Sequence, residues 1–143
     1  MKKTIAIFLI FIIIIICIFT GKYMEYKNEQ NRIKEQNLEF ETYLNKPILG
    51  TELTTFINRA VDNNEKYKVQ KDDQGFYIED DINSIKIEIY IIDNDTLYQM
   101  ETLYNGGMIN FANLYNSIYF ECKKIDYNKL GKVKYMFFKQ ETF

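Results

Sequence analysis

Three acidic clusters are the first residues of this 143-residue chain whose type and spacing could do chemistry: Asp72-Asp73, Glu79-Asp80-Asp81 and Asp93-Asn94-Asp95. A hard cation such as calcium needs several oxygens converging on one point. None of the three has the spaced D-x-D-x-D-G loop closed by a distant Glu, and turns between strands select Asp, Asn and Gly for backbone reasons alone. The clusters are therefore expected to be turns, and no metal site is expected. Glu79 and Glu88 could serve as a carboxylate acid–base pair, but no spacing singles those two out.

The other reactive side chains are few. The chain has no histidine and two cysteines, which removes Ser-His and Cys-His pairs and the usual catalytic zinc sites. Ser84 and Ser117 are the only serines. Cys17 lies inside an apolar run and Cys122 in an alternating segment; an intramolecular disulfide is not expected, and Cys122 reads as a small buried hydrophobe. Gly106-Gly107 lacks the strand–loop–helix context of a phosphate loop and reads as an interruption of a helix. No catalytic, cofactor-binding or metal-ligating residue is singled out, and a non-enzymatic function is expected. Beyond Lys2 and Lys3 the chain carries 16 basic and 20 acidic side chains, a net of −4. Without a Lys/Arg stripe such a chain is a poor partner for nucleic acid.

The elements that position these residues begin with "IAIFLIFIIIIICIF", Ile5 to Phe19, which holds nine Ile, three Phe and one Leu. At about −0.3 to −0.6 kcal/mol each, these favour bilayer insertion by roughly 4 to 8 kcal/mol. A cleaved signal peptide wants small residues after the apolar core, whereas "TGKYMEYKNE" follows here with bulky Tyr23, Met24 and Tyr26. A lipoprotein would need a small residue just before its cysteine, and Ile14, Ile15 and Ile16 precede Cys17. The expected outcome is a retained single-pass anchor in contact with membrane lipid through Ile5–Phe19. With uncompensated Lys2 and Lys3 ahead of it, the N-terminus stays cytoplasmic and the remainder goes outside.

Residues 22–46 follow as a helical stalk. Tyr26, Ile33 and Phe40 recur every seven residues, with Tyr23 and Leu44 on the same flank and Gln30 and Asn37 interrupting the stripe. A solvated stalk, a rod of about 60 Å from bilayer to domain and a self-associating coiled coil all fit this pattern. Contact with a protein partner or a second copy is expected along it. Pro47 is expected to end the helix.

The expected α+β domain occupies 47–143. Thr51 and Glu52 open an amphipathic helix with Leu53, Phe56, Ile57, Ala60 and Val61 on one face, stopping at Asn63-Asn64. "YKVQK" and "FYIED" around Asp72–Gly75 read as a hairpin, and Ser84–Ile92 as the strongest strand, with Ile85, Ile87, Ile89 and Ile91 facing a core. "TLYQM" adds a short strand, and a helix is expected around Met108–Asn116. "IYFECKKIDY" and "KVKYMFFKQ" close the chain as a second hairpin around Asn128–Gly131. The fold class is thus α+β: a transmembrane helix (1–21) continuing into a long helix, then a small, mostly antiparallel sheet with two short helices.

This layout resembles type IV pilins and pseudopilins. Ile5–Phe19 matches their apolar helix, Tyr23–Leu44 their amphipathic continuation with Ile33, Phe40 and Leu44 as packing residues, and the strands after Tyr67 their head. The family's leader ends in Gly before Phe or Met, with a Glu five residues into the mature helix. Here Lys3 precedes Thr4 and the run holds no Glu. The chain is also similar to small membrane-anchored proteins of low-GC bacteria. The resemblance implies a component of a surface assembly or secretion machine. A non-enzymatic interaction domain outside the cell, and an extracytoplasmic ligand-binding module or enzyme, are the other two functions this layout fits.

Overall fold

The computed structural model describes residues 2–142, with side chains from residue 3 onward. The chain forms two units, Met1–Gln36 and Asn37–Phe143.

The first unit is helical throughout its described length, as part of helix α1 (Lys2–Glu41). Every described side chain from residue 3 to 28 is exposed, including the whole apolar run, and Ile33 is the one buried described residue of this unit. With a mean hydropathy of 3.1 over its best window, the helix is long and apolar enough to cross a membrane. A run of Ile and Phe with no polar face is stable in that form only if something apolar surrounds it. The polar remainder carries an Arg32–Glu29 ion pair at 2.7 Å.

The second unit contains the last turn of α1, then β1 (Ile48–Leu49), α2 (Gly50–Lys66), β2 (Lys86–Ile91), β3 (Thr96–Gln99), α3 (Met100–Gly106), α4 (Met108–Leu114), β4 (Tyr119–Tyr127) and β5 (Val133–Gln140). The five strands form one sheet in the order β1-β4-β5-β2-β3. All neighbours are antiparallel except β2 and β5. The fold is α+β, as the residue pattern predicts.

The core lies between the helices and one face of this sheet. Leu53, Phe56, Ile57, Ala60 and Val61 of α2 are all buried, as are Ile85, Ile87, Ile89 and Ile91. Burying each of the large ones stabilises the unit by about 1.5–3 kcal/mol. Phe56 joins the layers, with ring centroids 6.2 Å from Phe40 and 5.9 Å from Phe138. Cys122 is buried as expected, and its thiol donates to the Lys124 carbonyl oxygen at 3.3 Å.

Several local expectations are corrected. Helix α1 stops at Glu41 rather than at Pro47: the bonds that follow close three-residue turns, Leu44 N–H to the Glu41 carbonyl oxygen at 3.0 Å and Lys46 N–H to that of Tyr43 at 3.3 Å, and Asn45 takes a left-handed conformation (φ 60°). Thr51 does not cap α2. The helix starts one residue earlier, at Gly50, and the Glu52 carboxylate accepts the Leu49 N–H at 2.9 Å. Gly50 is required there, since a Cβ would overlap the carbonyl oxygen of Tyr115 and sit 2.8 Å from its Cβ. Asn63 and Asn64 do not stop α2, which continues to Lys66. Both amides are buried and bind the chain entering β2.

The expected first hairpin is only a turn. Lys71 and Tyr77 make an isolated bridge, and no ladder forms in "YKVQK" or "FYIED". Gly106-Gly107 does interrupt the inserted helix, as expected, and the helical stretch extends further back than Met108: α3 and α4 are divided at Gly107.

Candidate interaction surface

The outward side chains on the face of the sheet opposite the core are half-buried along β2 and β5, and their identity follows from strand alternation. Lys86, Glu88 and Tyr90 project from β2, and Leu97 and Gln99 from β3. Register places Lys86 opposite Tyr135, Glu88 opposite Phe137 and Tyr90 opposite Lys139 on β5. Across β5, Tyr135 faces Asp126, Phe137 faces Lys124 and Lys139 faces Glu121. Each row thus holds one acid and one base flanking or adjoining an aromatic ring. Cross-strand pairs of this kind stabilise a wet sheet face by a few tenths of a kcal/mol to about 1 kcal/mol each.

The contacts across these rows are specific. The Tyr135 hydroxyl donates to Glu88 Oε2 at 2.7 Å. Burial, and then the Glu88 carboxylate beside it, push the Tyr135 phenol well above its ordinary range. Lys124 pairs with Asp126 at 2.7 Å, with its ammonium 5.2 Å from the Tyr135 ring centroid. Lys134 reaches Glu79 at 3.0 Å, and that carboxylate raises the lysine pKa. Together Glu79, Lys86, Lys124, Asp126, Lys134 and Tyr135 line a cavity of about 170 Å³. A larger groove of about 570 Å³ adjoins it, sharing Glu79 and Lys86 and bounded by residues 72–79, Leu97, Gln99 and Thr102.

The acidic clusters have structural employment. Asp72 Oδ1 accepts the N–H groups of Gln74 and Phe76, both at 2.9 Å, and Gly75 closes the turn at φ 86°. Asp80 Oδ1 accepts from Ile82, Asn83 and Ser84. Burial raises the Asp80 pKa, but those three N–H groups outweigh it and hold the carboxyl below its ordinary value. Asp81 binds Lys129 at 2.9 Å, Asp93 accepts from Gln140 at 2.7 Å, and Asp95 accepts the Tyr90 hydroxyl. Glu79 and Glu88 are held by different donors, Lys134 and Tyr135. Among the described residues no three His, Cys, Asp or Glu side chains are placed to hold a metal ion.

The remaining sequence candidates are scattered. Ser84 exchanges hydrogen bonds with the Asp80 backbone, and Ser117 donates to Asn116. Cys17 is exposed on α1. Burial, only partly offset by neighbouring N–H groups, pushes the Cys122 thiol up and away from reactivity. Gly106 and Gly107 border a shallow groove of about 410 Å³ with Tyr104, Met108 and Ile109.

Sequence reasoning recognised the outward set on β2 but missed its partners on β4 and β5. The alternation in "VKYMFFKQ" was the available signal, and register against β2 was the missing one. No protein-family model matches the chain, and no curated protein and no solved structure is significantly similar to it.

Proposed function

We propose that this is a single-pass membrane protein whose apolar segment is retained as an anchor and whose α+β unit acts outside the cell as a non-enzymatic interaction domain. The observation that carries this reading is the exposure of every side chain from Ile5 to Phe19 along a continuous helix. Such a surface is stable in lipid and aggregates in water. Lys2 and Lys3, ahead of the run and uncompensated, favour a cytoplasmic N-terminus. The mixed-charge, aromatic face of the sheet supports contact with another macromolecule, since tyrosines offer rigid, amphipathic area. The test is protease shaving of intact and permeabilised cells. Loss of the domain from intact cells is the expected result; protection until permeabilisation would overturn the orientation.

A second function, a pilin-like or pseudopilin-like assembly component, is favoured by one feature: α1 is unbroken from the apolar run to Phe40, which is buried in the core of the second unit. Cross-linking between neighbouring α1 helices in native membranes would separate the two. A ladder of oligomers supports assembly, and monomers alone support the first function.

A further inference from the structure

The two edges of the sheet are treated differently. On one side, β1 covers β4 only at Tyr119 and Phe120. Beyond that point β4 carries a bulge at Lys123 and the charges of Lys123, Lys124 and Asp126. Bulges and edge charges are the devices that keep a strand from pairing with another chain. On the other side, β3 reads Thr-Leu-Tyr-Gln, with no charge, no proline and no shift of register against β2. Among the described residues no other strand pairs with its outer side. Leu97, half exposed at 51%, stands on this edge.

The groove beside β3 has a matching character. Phe76, Ile78 (48% exposed) and Leu97 give it apolar wall, and Asp72, Glu79 and Lys86 are its charged residues. Asp72 is committed to its own turn and Glu79 to Lys134. The Lys86 ammonium enters no ion pair or hydrogen bond among the described residues. Lys86 is therefore the one charged side chain of the groove whose head group has no partner among the described residues.

We propose that β3 and this groove receive an extended peptide segment of a partner protein, which adds as a sixth strand. Main-chain hydrogen bonds to the β3 edge supply affinity, and alternate side chains supply selectivity. One apolar side chain of the peptide lies over Leu97 and Ile78, and a carboxylate side chain faces Lys86. This rests on the interaction-domain function proposed above and gives that domain a site and a class of partner.

The experiment pans the full chain in lipid nanodiscs against a library of short random peptides. A selected peptide is then measured against Lys86→Glu, Leu97→Lys and a control, Lys46→Glu. The expected peptides alternate apolar residues with Asp or Glu. Lys86→Glu and Leu97→Lys each weaken binding at least about tenfold, about 1.4 kcal/mol, while Lys46→Glu leaves it unchanged. The Lys86→Glu protein, repanned, selects basic peptides, which also shows that it is folded. Bound peptide slows amide exchange within Thr96–Gln99. Failure to enrich any peptide, binding indifferent to both groove variants, protection confined to another part of the domain, or self-association through β3 that peptide does not displace would each overturn the proposal. Protease shaving reports separately on orientation, so a domain found inside the cell refutes the function above without touching this result.

Discussion

Replacing Asn64 tests how the sheet is fastened to the helix that covers it. Asn64 is fully buried, and its amide acts as a two-ended clamp: Nδ2 donates to the Ile85 carbonyl oxygen and Oδ1 accepts the Ile85 N–H, both at 2.8 Å. Ile85 is itself buried, so neither of its main-chain groups has water as an alternative. Asn64→Leu leaves both unpaired, at about 1–3 kcal/mol each, for a total of about 2–6 kcal/mol. That is a large fraction of the stability of an ordinary domain. Asn64→Asp behaves differently. Ionised, it keeps the acceptor, loses the donor and buries a charge; protonated, its hydroxyl donates to Ile85 and its carbonyl accepts. Burial raises the folded pKa of this carboxyl, so its stabilising form is fully present below the unfolded pKa and is lost as pH rises through the folded one. The assay is urea unfolding of the full chain in detergent micelles, followed by circular dichroism at several pH values. Asn64→Leu should lose about 2–6 kcal/mol at neutral pH, and the deficit of Asn64→Asp should shrink on acidification. An Asn64→Leu protein within about 0.5 kcal/mol of the parent, or an Asn64→Asp deficit that does not change with pH, would refute the clamp.

Other consequences are as direct. Burial and then the Glu41 carboxylate, 2.6 Å from the Tyr127 hydroxyl, hold that phenol at about 12. Its contribution to stability is fully present below the ordinary tyrosine pKa of about 10 and lost as pH rises through about 12. An ultraviolet tyrosinate titration, clean because the chain has no tryptophan, should lose a late step in Tyr127→Phe. Asp80 has a depressed pKa, so its contribution is present above the unfolded carboxyl value of about 3.9 and lost as pH falls through the folded one; Asp80→Asn should flatten the acid limb of a stability–pH curve. Gly50→Ala forces Tyr115 to shift and should cost about 1–3 kcal/mol, read as a lower Tm. Ile12→Lys sets a charge costing about 2.5–3.5 kcal/mol in the middle of the apolar run, and should raise the fraction of protein released from membranes by alkaline extraction.

What the sequence made legible was whatever depends on local periodicity. The α2 face from Leu53 to Val61 and the alternation of Ile85 to Ile91 are buried as their spacing requires, and the β4–β5 hairpin turns at Gly131 (φ 80°). What remained hidden depends on long-range partners. Asn37 interrupts an apolar stripe on paper, yet its Nδ2 donates to Gly131 O at 2.7 Å and its Oδ1 accepts Val133 N–H at 2.9 Å. Asn63 and Asn64 have the composition of a helix stop because Asn competes well for nearby backbone; in the fold they spend that capacity on residues some twenty positions away. The segment from Lys71 to Tyr77 has the turn residues of a hairpin without its ladder. Glu101 draws the Tyr77 N–H toward α3 at 3.1 Å instead. The parallel pairing of β2 with β5, which assembles the mixed-charge, aromatic face of the sheet, joins strands more than forty residues apart, and no local pattern encodes it.

Retention of Ile5–Phe19 as an anchor is the central claim of the proposed function. Intact mass spectrometry of the chain purified from the membrane fraction of its native host tests it most directly. The account predicts one species containing the apolar segment, with Cys17 unmodified. A chain lacking roughly the first twenty residues, as signal cleavage would leave it, or a diacylglycerol adduct on a chain beginning at Cys17, would contradict it.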